Sequence, residues 1–136
     1  MASGFYNGTV FHRVIKGFVA QGGGFTGVAN GALIAQTPLR AAIPLEANKG
    51  LNNLRGSIAM ARASAINSAT SQFFFNAVDN AGLDFGGGSS GYAVFGKVVS
   101  GQTVLDAMDG VPTRTVGSFG DVPTTDIVLQ TATQTQ

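Results

Sequence analysis

Residues 11–23 read Phe11-His12-Arg13-Val14-Ile15-Lys16-Gly17-Phe18-Val19-Ala20-Gln21-Gly22-Gly23. Two short strands account for them. The first is Thr9–Val14, with Val10, His12 and Val14 expected on one face and Phe11 and Arg13 on the other. Asn7–Gly8 precedes it, a dipeptide suited to a tight turn with positive φ. The second strand is Phe18–Gln21, ended by Gly22–Gly24.

Outward from this stretch the same reading continues. Ser57–Ala61, Phe73–Ala77, Tyr92–Val99 and Ile127–Leu129 are short apolar runs expected as strands. Residues 26 to 56 carry Gly, Asn and Pro at short intervals and read as long loops. One helix is predicted over Gln102–Asp109, because Val104, Leu105 and Met108 fall at helical spacing and Gly110 offers a C-cap. Several strands with one helix indicate a mainly β domain, an antiparallel sheet or barrel with helical packing.

Composition agrees and narrows the function. Hydrophobic residues make up 44% of the 136, enough for a core. Glycine, at 20 residues, favours turns over long helices. Charged residues are only 11%, against about 25% in an ordinary globular protein. The net charge is +1 and the charges are scattered singly, so no basic stripe for nucleic acid or an anionic membrane exists. No apolar run approaches the length of a membrane span. With no Cys there is no disulfide, thiol nucleophile or Cys-based zinc site.

Three motif matches fail on context. Gly22–Gly27 fits a dinucleotide-binding pattern, with Glu46 at a tempting distance, but no helix opens there and Asn30–Gly31 follows. Gly91–Lys97 resembles a phosphate-binding loop, yet Val98 stands where a Ser or Thr should hold magnesium, and Ala93-Val94-Phe95 is a strand core. Gly87–Gly91 matches a nucleophile elbow, but it is a glycine loop before a strand. His12 is the one histidine and has no second metal ligand at strand or helix spacing. A structural histidine is the plainer reading, and a hydrolase built on His12 and a serine is the third choice of function.

The 11–23 stretch resembles the signature of the cyclophilins. So do Arg55–Arg62 (RGSIAMAR), Ser68–Asn76 (SATSQFFFN) and Gly91–Val98 (GYAVFGKV), in the family's order. The likeness runs from Gly4 to Leu129, and the MAR and GYAVFGKV variants look bacterial. It implies a cyclophilin-like antiparallel β-barrel that acts as a peptidyl-prolyl cis–trans isomerase. Only Met1-Ala2-Ser3 precedes Gly4, so the family's first two strands and first helix are expected to be missing. About six of eight strands would remain, in one truncated domain over residues 1–136, with a barrel that need not close.

Site residues follow from the resemblance alone. Arg13 is the implied catalytic donor, with Gln21 orienting it and holding the substrate backbone. Phe18, Phe74 and Leu83 line the proline pocket, with Met60 beneath. Ala61 and Arg62 offer backbone groups, and Gln72 and Tyr92 stand at the rim. No metal or cofactor is expected, because rotation makes and breaks no covalent bond. The implied partners are proline-containing peptides and unfolded protein clients. Cyclosporin binding is expected to be weak, since Gly82 stands where relatives often carry Trp or Phe; many relatives also carry His at the place of Tyr92. The alternative is a non-catalytic proline-peptide binding module with an incomplete barrel. With no signal peptide before Gly4 the chain as written reads as cytoplasmic; a missing upstream segment would allow a periplasmic or secreted protein.

Overall fold

The computed structural model describes residues 4–135, and Met1-Ala2-Ser3, on which the expected truncation turns, lie outside them. The strands are β1 (Thr9–Val10), β2 (Arg13–Ile15), β3 (Val19–Gly22), β4 (Phe25–Ala29), β5 (Ala32–Ala35), β6 (Ser57–Met60), β7 (Phe73–Asn76) and β8 (Val94–Lys97). The helix α1 (Gln102–Asp109) follows, then β9 (Thr113–Val116), β10 (Phe119–Pro123) and β11 (Val128–Leu129). All strand pairs are antiparallel. They form a four-stranded sheet in the order β11-β1-β4-β5, the β9–β10 pair, and a five-stranded sheet in the order β2-β3-β7-β6-β8. Among the described residues these sheets do not close into a barrel.

The five-stranded sheet separates two apolar clusters. Opposed residues in an antiparallel sheet share a face. One row runs Val14, Ala20, Phe75, Ile58 and Gly96 across the strands. Its side chains meet Phe11, Phe73 and Leu105, so α1 seals this face. The alternate row runs Arg13, Gln21, Phe74, Ala59 and Val94. It builds the second cluster, described below.

The predicted helix is present with its predicted bounds, and Gly110 is its C-cap. Leu105 is buried and Met108 packs against the same cluster, whereas Val104 is 63% exposed. The i, i+3 pair Leu105 and Met108 sets the buried face, and Val104, about 100° away, looks outward.

Three expectations require correction. Thr9–Val14 is two strands, because the chain leaves one sheet and joins another at Phe11–His12. Val10, Phe11, His12 and Val14 are all buried, so the expected two-face alternation does not hold. Phe11 packs against Phe73 and Phe75, while His12 meets Phe25 and Phe119. Residues 26–35 are not loop but the β4–β5 hairpin, turned at Asn30 and Gly31 with φ of 54° and 72°. Two successive left-handed residues make the tight turn whose twist matches paired strands. The β9–β10 hairpin was also unforeseen; its strands are mostly exposed and carry no strong apolar alternation.

Candidate active site

The second row of the sheet carries the polar side chains and the aromatic floor together. Arg13 Nη1 donates to Gln21 Oε1 at 3.2 Å, and Gln21 Nε2 donates to Gln72 Oε1 at 2.8 Å. The result is one chain, Arg13–Gln21–Gln72, drawn from β2, β3 and the residue before β7. Gly24 admits it: a Cβ there would stand 2.5 Å from the Gln72 side chain. Among the described residues Arg55–Asp106 is the one ion pair, so no carboxylate offsets the charge of Arg13.

Beside this chain Val19, Ala59, Ala61 and Phe74 are buried together, with Phe18, Leu83, Tyr92 and Val94 packed against them. Phe74 is 4% exposed, and Tyr92 meets it edge-on with centroids 5.7 Å apart. Phe18 and Leu83 are only half-buried, so apolar surface remains open at this cluster. Between the polar chain and Arg62 lies a groove of about 330 Å³, lined by Gln21, Ala61, Arg62, Ala63, Ser68, Thr70 and Gln72.

Arg62 serves as a clasp. Its Nε and Nη2 donate to the Gly91 carbonyl at 3.2 and 2.8 Å, and its Nη1 donates to the Ala63 carbonyl at 3.0 Å. Its guanidinium carbon lies 4.6 Å from the Tyr92 ring centroid. The side chain thus ties the loop after β6 to the loop before β8, using the planar fork that Lys lacks. The Ala61 amide is engaged by the Gln72 carbonyl at 3.0 Å.

Most of the expected site residues are therefore neighbours: Arg13, Gln21 and Gln72 in one hydrogen-bonded chain, Phe18, Ala61, Phe74, Leu83 and Tyr92 in one cluster. Met60 is not with them. It pairs opposite Phe73, in the row that alternates with that of Phe74, and lines a separate groove of about 410 Å³ with Ile43, Leu51 and Phe95, which Arg62 also borders. Val19 fills the pocket cluster instead, two residues from Gln21 and so on the same face. That period-two relation was readable in the sequence.

His12 does not take part. It is 3% exposed, and its Nδ1 has no hydrogen-bond partner among the described residues. Burial, and then the adjacent Arg13 charge, lowers its pKa to about 4, so it is neutral near pH 7. No group of three His, Cys, Asp or Glu that could hold a metal ion occurs among the described residues. No helix of the described chain is long and apolar enough to cross a membrane.

A family model described as cyclophilin type peptidyl-prolyl cis-trans isomerase/CLD matches residues 1–134. The chain belongs to this family. Among cyclophilin-type relatives, peptidyl-prolyl cis-trans isomerase A of Dickeya dadantii is 53% identical over 130 residues, covering 96% of this chain and 66% of that protein. Peptidyl-prolyl cis-trans isomerase B of Escherichia coli is 48% identical over 133 residues, covering 96% of this chain and 78% of that protein. A crystal structure of a Cryptosporidium parvum cyclophilin-type isomerase, determined in the presence of the dipeptide Ala-Pro, superposes with a TM-score of 0.73 at 30% identity, over 95% of this chain and 75% of that one. The fold is accordingly that of the cyclophilins, in an open arrangement of sheets.

Proposed function

We propose that this chain catalyses cis–trans rotation about X–Pro bonds at the Arg13–Gln21–Gln72 chain and the Phe74 cluster. The observation that carries the reading is their adjacency: a cation with no carboxylate partner among the described residues, held by an amide, beside an aromatic pocket half open to solvent.

The chemistry needs little more. Amide resonance sets a barrier of about 18–20 kcal/mol to rotation. Proline leaves only about 0.5–1 kcal/mol between the isomers, so both are substrates. As the bond twists, conjugation breaks and the proline nitrogen regains a lone pair. A guanidinium can donate a hydrogen bond to that nitrogen, and this bond exists only in the twisted state. Gln21 holds Arg13 by accepting from Nη1, and Gln72 holds Gln21, so the donor is preorganised. Phe18, Val19, Phe74 and Leu83 bury the proline ring, and residues flanking the proline lie in the polar groove beside Arg62.

The substrates are proline-containing peptides and X–Pro segments exposed in unfolded clients. The cyclophilin-type relative studied with Ala-Pro supports a small prolyl peptide as the minimal ligand. Cyclosporin binding is weak, because Gly82 offers no aromatic surface at the pocket rim. A Cβ at Gly82 would meet nothing within 4 Å, so a side chain can start there without a clash, and Gly82→Trp should strengthen that binding.

A protease-coupled assay on a tetrapeptide with a prolyl bond tests the proposal. Isomerisation accelerated in proportion to protein concentration is expected. Peptide binding without acceleration would favour a non-catalytic proline-binding module, and neither would remove the assignment.

A further inference from the structure

Three segments distant in sequence form the walls of the proline pocket, and all three are tied to one buried amide network. Asn80 Nδ2 donates to the Phe18 carbonyl at 3.0 Å and to Asn76 Oδ1 at 2.9 Å. Asn76 Nδ2 donates to Asn53 Oδ1 at 3.0 Å and to Ser57 Oγ at 2.9 Å. Asn53 Nδ2 donates to the Leu83 carbonyl at 3.1 Å and to Asp84 Oδ1 at 3.0 Å, and lies 3.4 Å from the Tyr92 carbonyl. Asn53 and Asn76 are 0% exposed. Phe18, Leu83 and Tyr92 are three of the four half-buried residues of the Phe74 cluster, the fourth being Val94.

We propose that Asn53, Asn76 and Asn80 are positioning residues that set the width of the proline pocket by fixing the backbone carbonyls of Phe18, Leu83 and Tyr92. The proposal rests on the assignment of that cluster as the pocket.

The network has one polarity, Asn80 to Asn76 to Asn53, each amide nitrogen donating to the next oxygen. Reversing the Asn76 amide would set donor against donor. The arrangement is therefore self-consistent, and buried amides of this kind hold their neighbours because an unpaired one is costly. The segment it restrains needs restraint. Between Asp84 and Tyr92 the chain carries Gly86, Gly87, Gly88 and Gly91, all at positive φ, and has little side-chain packing of its own. The amides add to the backbone bonds that hold these walls, Ala77 N–H to the Phe18 carbonyl and Tyr92 N–H to the Leu83 carbonyl, both at 2.9 Å, and their loss would loosen Leu83 and Tyr92 relative to Phe18. A pocket for one small ring tolerates such drift poorly.

Asn80 is the partly exposed end of the network, so replacing it leaves the Asn53–Asn76–Ser57 bonds in place. The experiment compares the full chain with Asn80→Ala and Asn80→Asp, the latter equal in shape but unable to donate when ionised. The readout is the dissociation constant of a fluorescent Ala-Pro tetrapeptide, below each melting transition. Leu105→Ala, in the cluster on the opposite sheet face, is the control for general destabilisation. Both Asn80 variants should weaken binding about tenfold, in line with small displacements at a site, and raise KM more than they lower kcat. Leu105→Ala should lower the melting temperature and leave peptide affinity within about twofold, since distant sites act nearly independently. Unchanged affinity in Asn80→Asp, or a change no larger than that of Leu105→Ala, would overturn the proposal. An unmodified chain that bound no prolyl peptide would instead remove the pocket assignment on which it rests.

Discussion

At the scale of single residues, Phe74 is the side chain on which pocket and core coincide. It is 4% exposed and faces Gln21 and Ala59 across the sheet. Phe74→Ala should cost about 3–5 kcal/mol of stability, from lost burial and the cavity left behind. Proline-peptide affinity should fall with it, as urea unfolding and titration would show; a folded variant with unchanged affinity would exclude Phe74 from the site. His12 gives a pH prediction. Its folded pKa of about 4 lies below the ordinary 6.5, so the unfolded chain takes up the proton first. Stability is then unaffected above pH 6.5 and is lost as pH falls from 6.5 towards 4, by about 3 kcal/mol in all. His12→Leu, of similar volume and unable to ionise, should flatten the melting temperature between pH 6.5 and 5. A slope unchanged by that substitution would contradict the account. At this scale the grouping of the candidate site was largely legible, because Arg13, Gln21, Phe18 and Phe74 sit in recognisable segments and are neighbours in the fold. Val19 was within reach by alternation from Gln21. The asparagine network was not: Asn53 and Asn76 lie 23 residues apart, and an amide–amide contact leaves no local pattern.

Among the elements, α1 was readable because Leu105 and Met108 mark one face and Gly110 ends it. The strands β3, β6, β7 and β8 were readable to within one or two residues, since each is a short apolar run bounded by turns. The β4–β5 hairpin was missed although Asn30–Gly31 announces it; the Gly, Asn and Pro around that pair read as loop. Phe11–His12 misled in the opposite way. Both faces of the chain are covered there, so side-chain alternation no longer reports inside and outside. The hairpin turn carries its own prediction. Gly31 sits at φ 72°, and Gly31→Val should destabilise the protein by about 1–2 kcal/mol through backbone strain. The kcat/KM of the folded fraction should not change, because Gly31 lies outside the site. Equal denaturant midpoints for the two proteins would show that the turn does not govern the hairpin.

For the whole molecule, the open sheets have a physical consequence. β8 is an outer strand of the five-stranded sheet, and Phe95 on it is 50% exposed, with Val99 just beyond at 89%. An unpaired edge with apolar side chains invites pairing with another chain. This chain should therefore self-associate with rising concentration, and Phe95→Lys should shift sedimentation towards monomer; a concentration-independent monomer would contradict this. The catalytic assignment survives either outcome, since Arg13 and Gln21 lie on β2 and β3, at the other side of the sheet from β8. The central claim is that Arg13 lowers the barrier by donating to the twisted amide. It is tested by the kcat/KM of Arg13→Ala on a prolyl tetrapeptide, measured beside that peptide's dissociation constant. The account predicts a fall of about 10²-fold in kcat/KM, the scale of removing one preorganised donor, with affinity weakened far less. Retention of the unmodified chain's kcat/KM would contradict it.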